Sequence, residues 1–204
     1  CAFNLLLGYT GLLSFGHAMF LGTAGYVTAH ALKVWGVSPE LGIVLGVIAA
    51  GALSVVTGLI AIRLQGIYFA MITLAFAQMV HYAFFDNKVL GGSDGIYINF
   101  RPDAGLFDLE NKRVFYYFVL AVLVGVYAFL RRVLWSPFGR ALSGVRVNEH
   151  RMRAVGFGSF GYKLTAFTLA GALAGLAGYL WGAQTGFVNP ELMGFHMSAH
   201  AIMM

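Results

Sequence analysis

Long apolar stretches alternate with short polar ones along the whole chain. Leu41–Ile62 is 22 uncharged residues, and Ile67–Phe85, Val114–Leu130 and Leu164–Gly182 are similar runs. A helix crosses the hydrocarbon core of a bilayer with ~20 apolar residues. A membrane barrel would instead alternate apolar and polar positions over about ten residues, which 41–62 does not do. The pattern predicts an all-α, polytopic membrane protein of five to six spans, with residues 1–204 forming a single transmembrane domain.

The first stretch breaks this regularity. Residues 2–32 contain no Asp, Glu, Lys or Arg. As one helix they would be about 46 Å long, too long for one straight crossing and too short for two. Gly8-Tyr9-Thr10-Gly11 and Ser14-Phe15-Gly16-His17 also interrupt the middle. We therefore expect Cys1–Leu7 to end a span, Gly8–His17 to be discontinuous or re-entrant, and Ala18–Leu32 to form the next span. Irregular backbone survives at membrane depth only when protein buries it or it lines a wet cavity. Cys1 without a preceding Met, and an end inside an apolar run at Ile202-Met203-Met204, are expected of a piece truncated at both ends.

Charge sets the orientation. Residues 131–163 and Arg63 hold eight of the thirteen Lys and Arg residues and one acid, Glu149. The opposite connections (33–40, 86–113, 183–204) hold five bases and seven acids. Lys and Arg concentrate on the cytoplasmic side of membrane proteins, so 131–163 is expected inside and 86–113 outside. This sorting by side is a membrane signature, not a nucleic-acid one. Lone Cys1 excludes an internal disulfide framework.

The basic stretch has helical chemistry of its own. Ser136-Pro137 is a helix start and Gly156 suits its end. On a single helix over 138–155, Phe138, Leu142, Val145 and Met152 share a face with Glu149 in its middle. Arg146, His150 and Arg153 form a stripe beside it, and Gly144 is a point where the helix could divide. Two mechanisms fit: adhesion to anionic lipid, or insertion into a groove on a cytosolic partner.

Other candidates are narrower. Ala170, Ala174, Gly178 and Gly182, with Gly171 and Gly175 as a second row, allow close helix approach in lipid, within this chain or against a partner. Ser14 and His17 are polar at membrane depth, where such groups line a path or close a broken helix end. Thr73 and Gln78 face the same pair of readings, path or interhelical hydrogen bond. Gly91, Gly92, Ser93, Asp94 and Gly95 form an outer loop that is either part of a gate or docking surface, or an ordinary turn. His196 and His200 are four apart but lack a third ligand and the Glu of a zinc-protease helix, so no metal site is expected. There is no GxxxxGK[ST] loop and no triad-like set, so neither bound ATP nor a catalytic site is expected.

Six segments carry a resemblance: NLLLGYTGLLSFGHAMFLGTAGY (4–26), RLQGIYFAMITLAFAQ (63–78), GGSDGI (91–96), SPFGRALSGVRVNEHRMRAVGFG (136–158), YKLTAFTLAGALAGLAG (162–178) and NPELMGF (189–195). In order and spacing they resemble the permease subunits of bacterial ATP-driven importers for branched-chain amino acids. The resemblance implies an inner-membrane permease with no cofactor of its own. It implies ATP and Mg on two cytosolic ATPase subunits, a second related permease subunit and an external substrate-binding protein. It implies that a coupling helix in 131–163 docks on the ATPase, with Arg146, Asn148, Glu149, Arg153, Ala154 and Gly156 in that pattern. It also implies that Gly11, Ser14, Gly16 and His17 lie by the translocation path. Urea, short amides or other amino acids are alternative cargoes, and a lipid-adhering scaffold is the alternative from another class. Secondary transport would want acidic coupling-ion ligands at the midplane, and no span contains an acid.

Overall fold

The computed structural model describes residues 1–64, 66–87, 95–97, 112–194 and 197–198. A short α1 (Ala2–Asn4) runs into a π-helical turn (Leu5–Thr10). Then come α2 (His17–Trp35), α3 (Pro39–Ala61), α4 (Ile67–Phe85), β1 (Ile96–Tyr97), α5 (Lys112–Trp135), α6 (Pro137–Val147), α7 (Glu149–Ala154), α8 (Ser159–Thr185), β2 (Phe187–Val188) and a 3₁₀ turn (Pro190–Met193).

Among the described residues four helices, α3, α4, α5 and α8, are long and apolar enough to cross a membrane. The fifth expected span is α2, and 12 of its 19 residues are buried. It is the inner helix, enclosed by α3 and α8. The expected polytopic α-helical membrane fold is what the chain forms; the irregular stretch expected over 8–17 is confined to 11–16, because the π turn carries helix as far as Thr10 and α2 begins at His17.

Small residues build the centre. A Cβ on Gly178 would collide with the backbone oxygen of Leu21 on α2, and one on Gly171 or Gly175 would meet Ser54 or Ala50 of α3 at 2.5 and 2.6 Å. The two rows predicted on the last span therefore serve two neighbours inside this chain. Across α2 and α3, Thr28 donates through Oγ1 to the Gly42 carbonyl at 3.0 Å, so its hydroxyl is satisfied without water. Phe20, Phe69 and Phe167 fill the space left between the helices, ring edge to ring face.

Several expected boundaries move. Helix α8 begins at Ser159, five residues inside the expected loop, and ends at Thr185 rather than Gly182. The expected span 114–130 extends to Trp135, where Arg131 lies over the Trp135 ring at 5.6 Å. The chain after α8, expected to begin an external segment, turns back into the molecule. Met193 packs against Gly22, and Ser198 accepts a hydrogen bond from the Ala18 N–H at 3.2 Å. In the same apolar cluster as Met193, β1 pairs antiparallel with β2, Ile96 opposite Val188. Gly95, at φ +71°, abuts the Val188 carbonyl where a side chain has no room.

Candidate functional site

Two places hold the residues singled out above: the break before α2 and the polar connection between α5 and α8.

At the break, the π turn widens the helix and Thr10 returns its hydroxyl to the Leu6 carbonyl at 2.6 Å. Gly11, left-handed at φ +71°, ends the turn, and residues 11–16 are not helical. The exposed N–H groups of such a stretch need partners. Phe15 finds one in Thr73 of α4, whose Oγ1 accepts at 3.3 Å while donating to the Ala70 carbonyl at 2.9 Å. Gly16 lies against the Thr73 backbone so closely that a Cβ would meet its oxygen at 2.5 Å. Of the expected path residues, Gly16 and Thr73 are thus brought together, with Thr73 holding the broken backbone. Gln78 is half-buried farther along α4.

Ser14 and His17 are buried and differ from Thr73. Ser14 Oγ and both ring nitrogens of His17 lack a hydrogen-bond partner among the described residues, as does Tyr26 Oη. The His17 ring sits edge-on to Phe3 and Phe20 at 5.9 and 5.6 Å. One of its nitrogens is near the Ala170 carbonyl without reaching hydrogen-bond geometry. Unpaired buried polar groups cost stability, and these four atoms carry that cost among the described residues.

The polar connection corrects the single helix expected over 138–155. It is two helices, and the division is at Asn148, not Gly144. Asn148 is extended (φ −158°, ψ 97°) and its side chain accepts from the Arg151 N–H at 3.0 Å, capping α7. Gly144 instead provides room for Met152 to fold back from α7 onto α6. Ser136 occupies the expected start of α6, but its hydroxyl turns to the Val133 carbonyl rather than capping. Gly156 ends α7 at φ +93°. The Phe157 N–H donates to the Met152 carbonyl and the Gly156 N–H to that of Arg153, which is the Schellman pattern.

The expected coupling residues now sort into three directions. The Arg146 guanidinium donates to the Gly8 carbonyl and its stem lies against Gly11, joining α6 to the π turn. Glu149 faces inward, held at 2.6 Å by Arg153 Nη2, at 2.9 Å by the Ser159 hydroxyl and at 2.6 Å by Lys163 Nζ. Burial pushes its carboxyl up, but the hydrogen bonds from Lys163 and Ser159 and the charges of Lys163 and Arg153 outweigh that and hold it below the usual range. Asn148, Ala154 and Gly156 are exposed, together with His150, Arg151, Val147 and Val155. Ser159 and Lys163 escaped the sequence reading because they appear there as the tail of a basic loop. The signal was one buried-span lysine fourteen residues from the loop's only acid.

At the far end of the bundle a cleft of about 650 Å³ opens between α4, α8 and the 3₁₀ turn. Its lining includes His81, Trp181, Asn189 and Leu192. The Nδ1 of His81 donates to the Pro190 carbonyl at 3.0 Å. Gly95 borders this end through its contact with Val188, whereas Gly91, Gly92, Ser93 and Asp94 lie outside the described residues, as do His196 and His200.

A bundle of apolar helices around a buried inner helix that follows a break, with a basic two-helix connection, is the architecture of an integral membrane protein. The whole chain, residues 1–204, matches the family described as branched-chain amino acid transport system / permease component, and the protein belongs to that family. It is 33% identical over 230 residues to the high-affinity branched-chain amino acid transport system permease protein LivM of Salmonella typhimurium, covering 98% of this chain and 52% of that protein. The Escherichia coli LivM is 32% identical over the same shares. The probable branched-chain amino acid transport permease protein LivM of Methanocaldococcus jannaschii is 27% identical over 218 residues, covering 89% of this chain and 62% of that protein. The chain thus spans about half the length of the first two curated relatives. No solved structure matches it.

Proposed function

We propose that this chain is membrane-spanning machinery of an ATP-binding-cassette importer that carries branched-chain, hydrophobic amino acids inward across the bacterial inner membrane. Residues 131–163 face the cytoplasm. Two cytosolic ATPase subunits, holding ATP and Mg, supply the energy there, so hydrolysis belongs to partner chains. A second related permease subunit completes the path, and an external binding protein delivers substrate at the end carrying 86–113. The observation that carries this reading is the family match over all 204 residues.

The geometry is of the right kind. The exposed side of α6 and α7 combines apolar Val147 and Val155 with cationic Arg151, and its only acid, Glu149, is turned inward. That face fits an apolar cleft with an acidic rim, as a cytosolic partner offers to an inserted helix. With Glu149 turned inward the exposed face suits lipid and protein alike, and the family match supports a protein partner. Ser14 and His17, buried at a helix break and without a hydrogen-bond partner among the described residues, are the groups for a substrate path, because discontinuous helices form binding sites at mid-membrane in transporters.

Uptake into proteoliposomes tests the reading. The full-length gene product, with its cognate permease, ATPases and binding protein, should accumulate labelled leucine only with ATP, and isoleucine and valine should compete. Uptake of urea or short amides in place of leucine would replace the cargo. Accumulation without ATP would overturn the mechanism.

A further inference from the structure

The geometry points to Glu149 as an internal latch that ties α7 to the membrane-crossing helix α8 through Lys163 and Ser159, rather than as a contact with the ATPase. This rests on the importer reading above and sharpens it by dividing α7 into two faces.

The carboxylate is nearly fully engaged from within. Its Oε1 accepts from Arg153 and Ser159, and its Oε2 accepts from Lys163, at 2.6–2.9 Å. The Glu149 side chain is 15% exposed and that of Lys163 only 7%. A buried ammonium needs a partner, and Glu149 is that partner. Arg153 Nε also donates to the Ser159 hydroxyl at 2.8 Å, so three residues on two helices close a ring. Charge-assisted bonds of this length hold geometry better than apolar contact does.

The latch also joins unlike parts. Asn148 breaks the chain before α7 and Gly156 turns it afterwards, so the six-residue helix is held by the Met152 contact with Gly144 on α6 and, towards α8, by this latch. Beyond Lys163 the same α8 presses Gly171 and Gly175 into α3 and Gly178 into α2. A push on the outer face of α7 therefore arrives at the helix that packs against both α2 and α3. Val155, 74% exposed, stands on that outer face.

The test uses the complete importer and two readouts: ATPase co-purifying with the permease, and substrate moved per ATP hydrolysed. Lys163→Met and Glu149→Gln should retain the ATPase at wild-type stoichiometry while uptake per ATP falls about tenfold or more, and Lys163→Arg should restore most of it. Val155→Asp, on the outer face, should lose the ATPase itself. Wild-type uptake per ATP in Lys163→Met would overturn the latch. So would loss of the ATPase in Glu149→Gln with retention in Val155→Asp, because Glu149 would then be the docking contact. Should Lys163→Met fail to insert, Glu149→Gln and Lys163→Arg carry the test, and equal loss in both overturns the role of charge. If no ATPase accompanies the wild type, it is the importer reading that fails.

Discussion

Helices α5 and α8 are both long enough and apolar enough to cross a membrane, yet 44% of the apolar window of α8 is buried against 6% of that of α5. Their composition explains the difference. Helix α8 is Gly- and Ala-rich on two sides, so α2 and α3 approach to backbone contact. Helix α5 presents Tyr116, Leu120, Leu123, Val124 and Tyr127 outward and within this chain packs mainly on α6. In lipid no hydrophobic force drives helices together, and close packing by small residues takes its place. Apolarity therefore marks a span, while the placement of small residues marks which span is central.

The sharpest way to break this contrast is to fill the seam. Gly178→Leu drives a side chain into the Leu21 carbonyl and should destabilise by about 3 kcal/mol, at the upper end of overpacking costs. A thermal melt of the detergent-solubilised protein would show it as a large fall in midpoint, and an unchanged midpoint would refute the seam. Thr73→Val is expected to be intermediate, about 1–3 kcal/mol, because it removes the hydroxyl that accepts from the Phe15 N–H and donates to the Ala70 carbonyl; Thr73→Ser should recover most of the loss in the same melt. Least affected should be Leu123→Ala on the outer side of α5, within about 0.5 kcal/mol of wild type as for exposed positions generally. A loss there as large as that of Thr73→Val would show that α5 belongs to the core.

The same contrast explains what could be read from the residues alone. The long uncharged runs gave the helices, and the four-residue spacing of Ala170, Ala174, Gly178 and Gly182 gave the seam, because both signals are local. The glycines around residues 8–16 revealed the break for the same reason: helical backbone needs uninterrupted formers. The division at Asn148 was missed since Asn is as ordinary inside a basic stretch as at a cap, and only its extended backbone separates the two. Lys163 with Glu149, Arg146 with Gly8, and Ser198 with Ala18 join positions far apart in sequence. No periodicity reports such pairs. Glu149 is the instructive case: its helical angle put it on the apolar face of 138–155, and the reason it can lie there is a lysine on another helix.

Site-directed crosslinking from position 155 tests the central claim most directly. With Val155→Cys as the reactive thiol in an otherwise cysteine-free full-length protein, a short bifunctional reagent is applied to membranes containing the assembled importer. A crosslink from this exposed outer face of α7 to the ATPase subunit is expected, and none after the ATPase is stripped away. Labelling of the same thiol by an impermeant reagent from outside the cell would place residues 131–163 on the wrong side of the membrane and contradict the account.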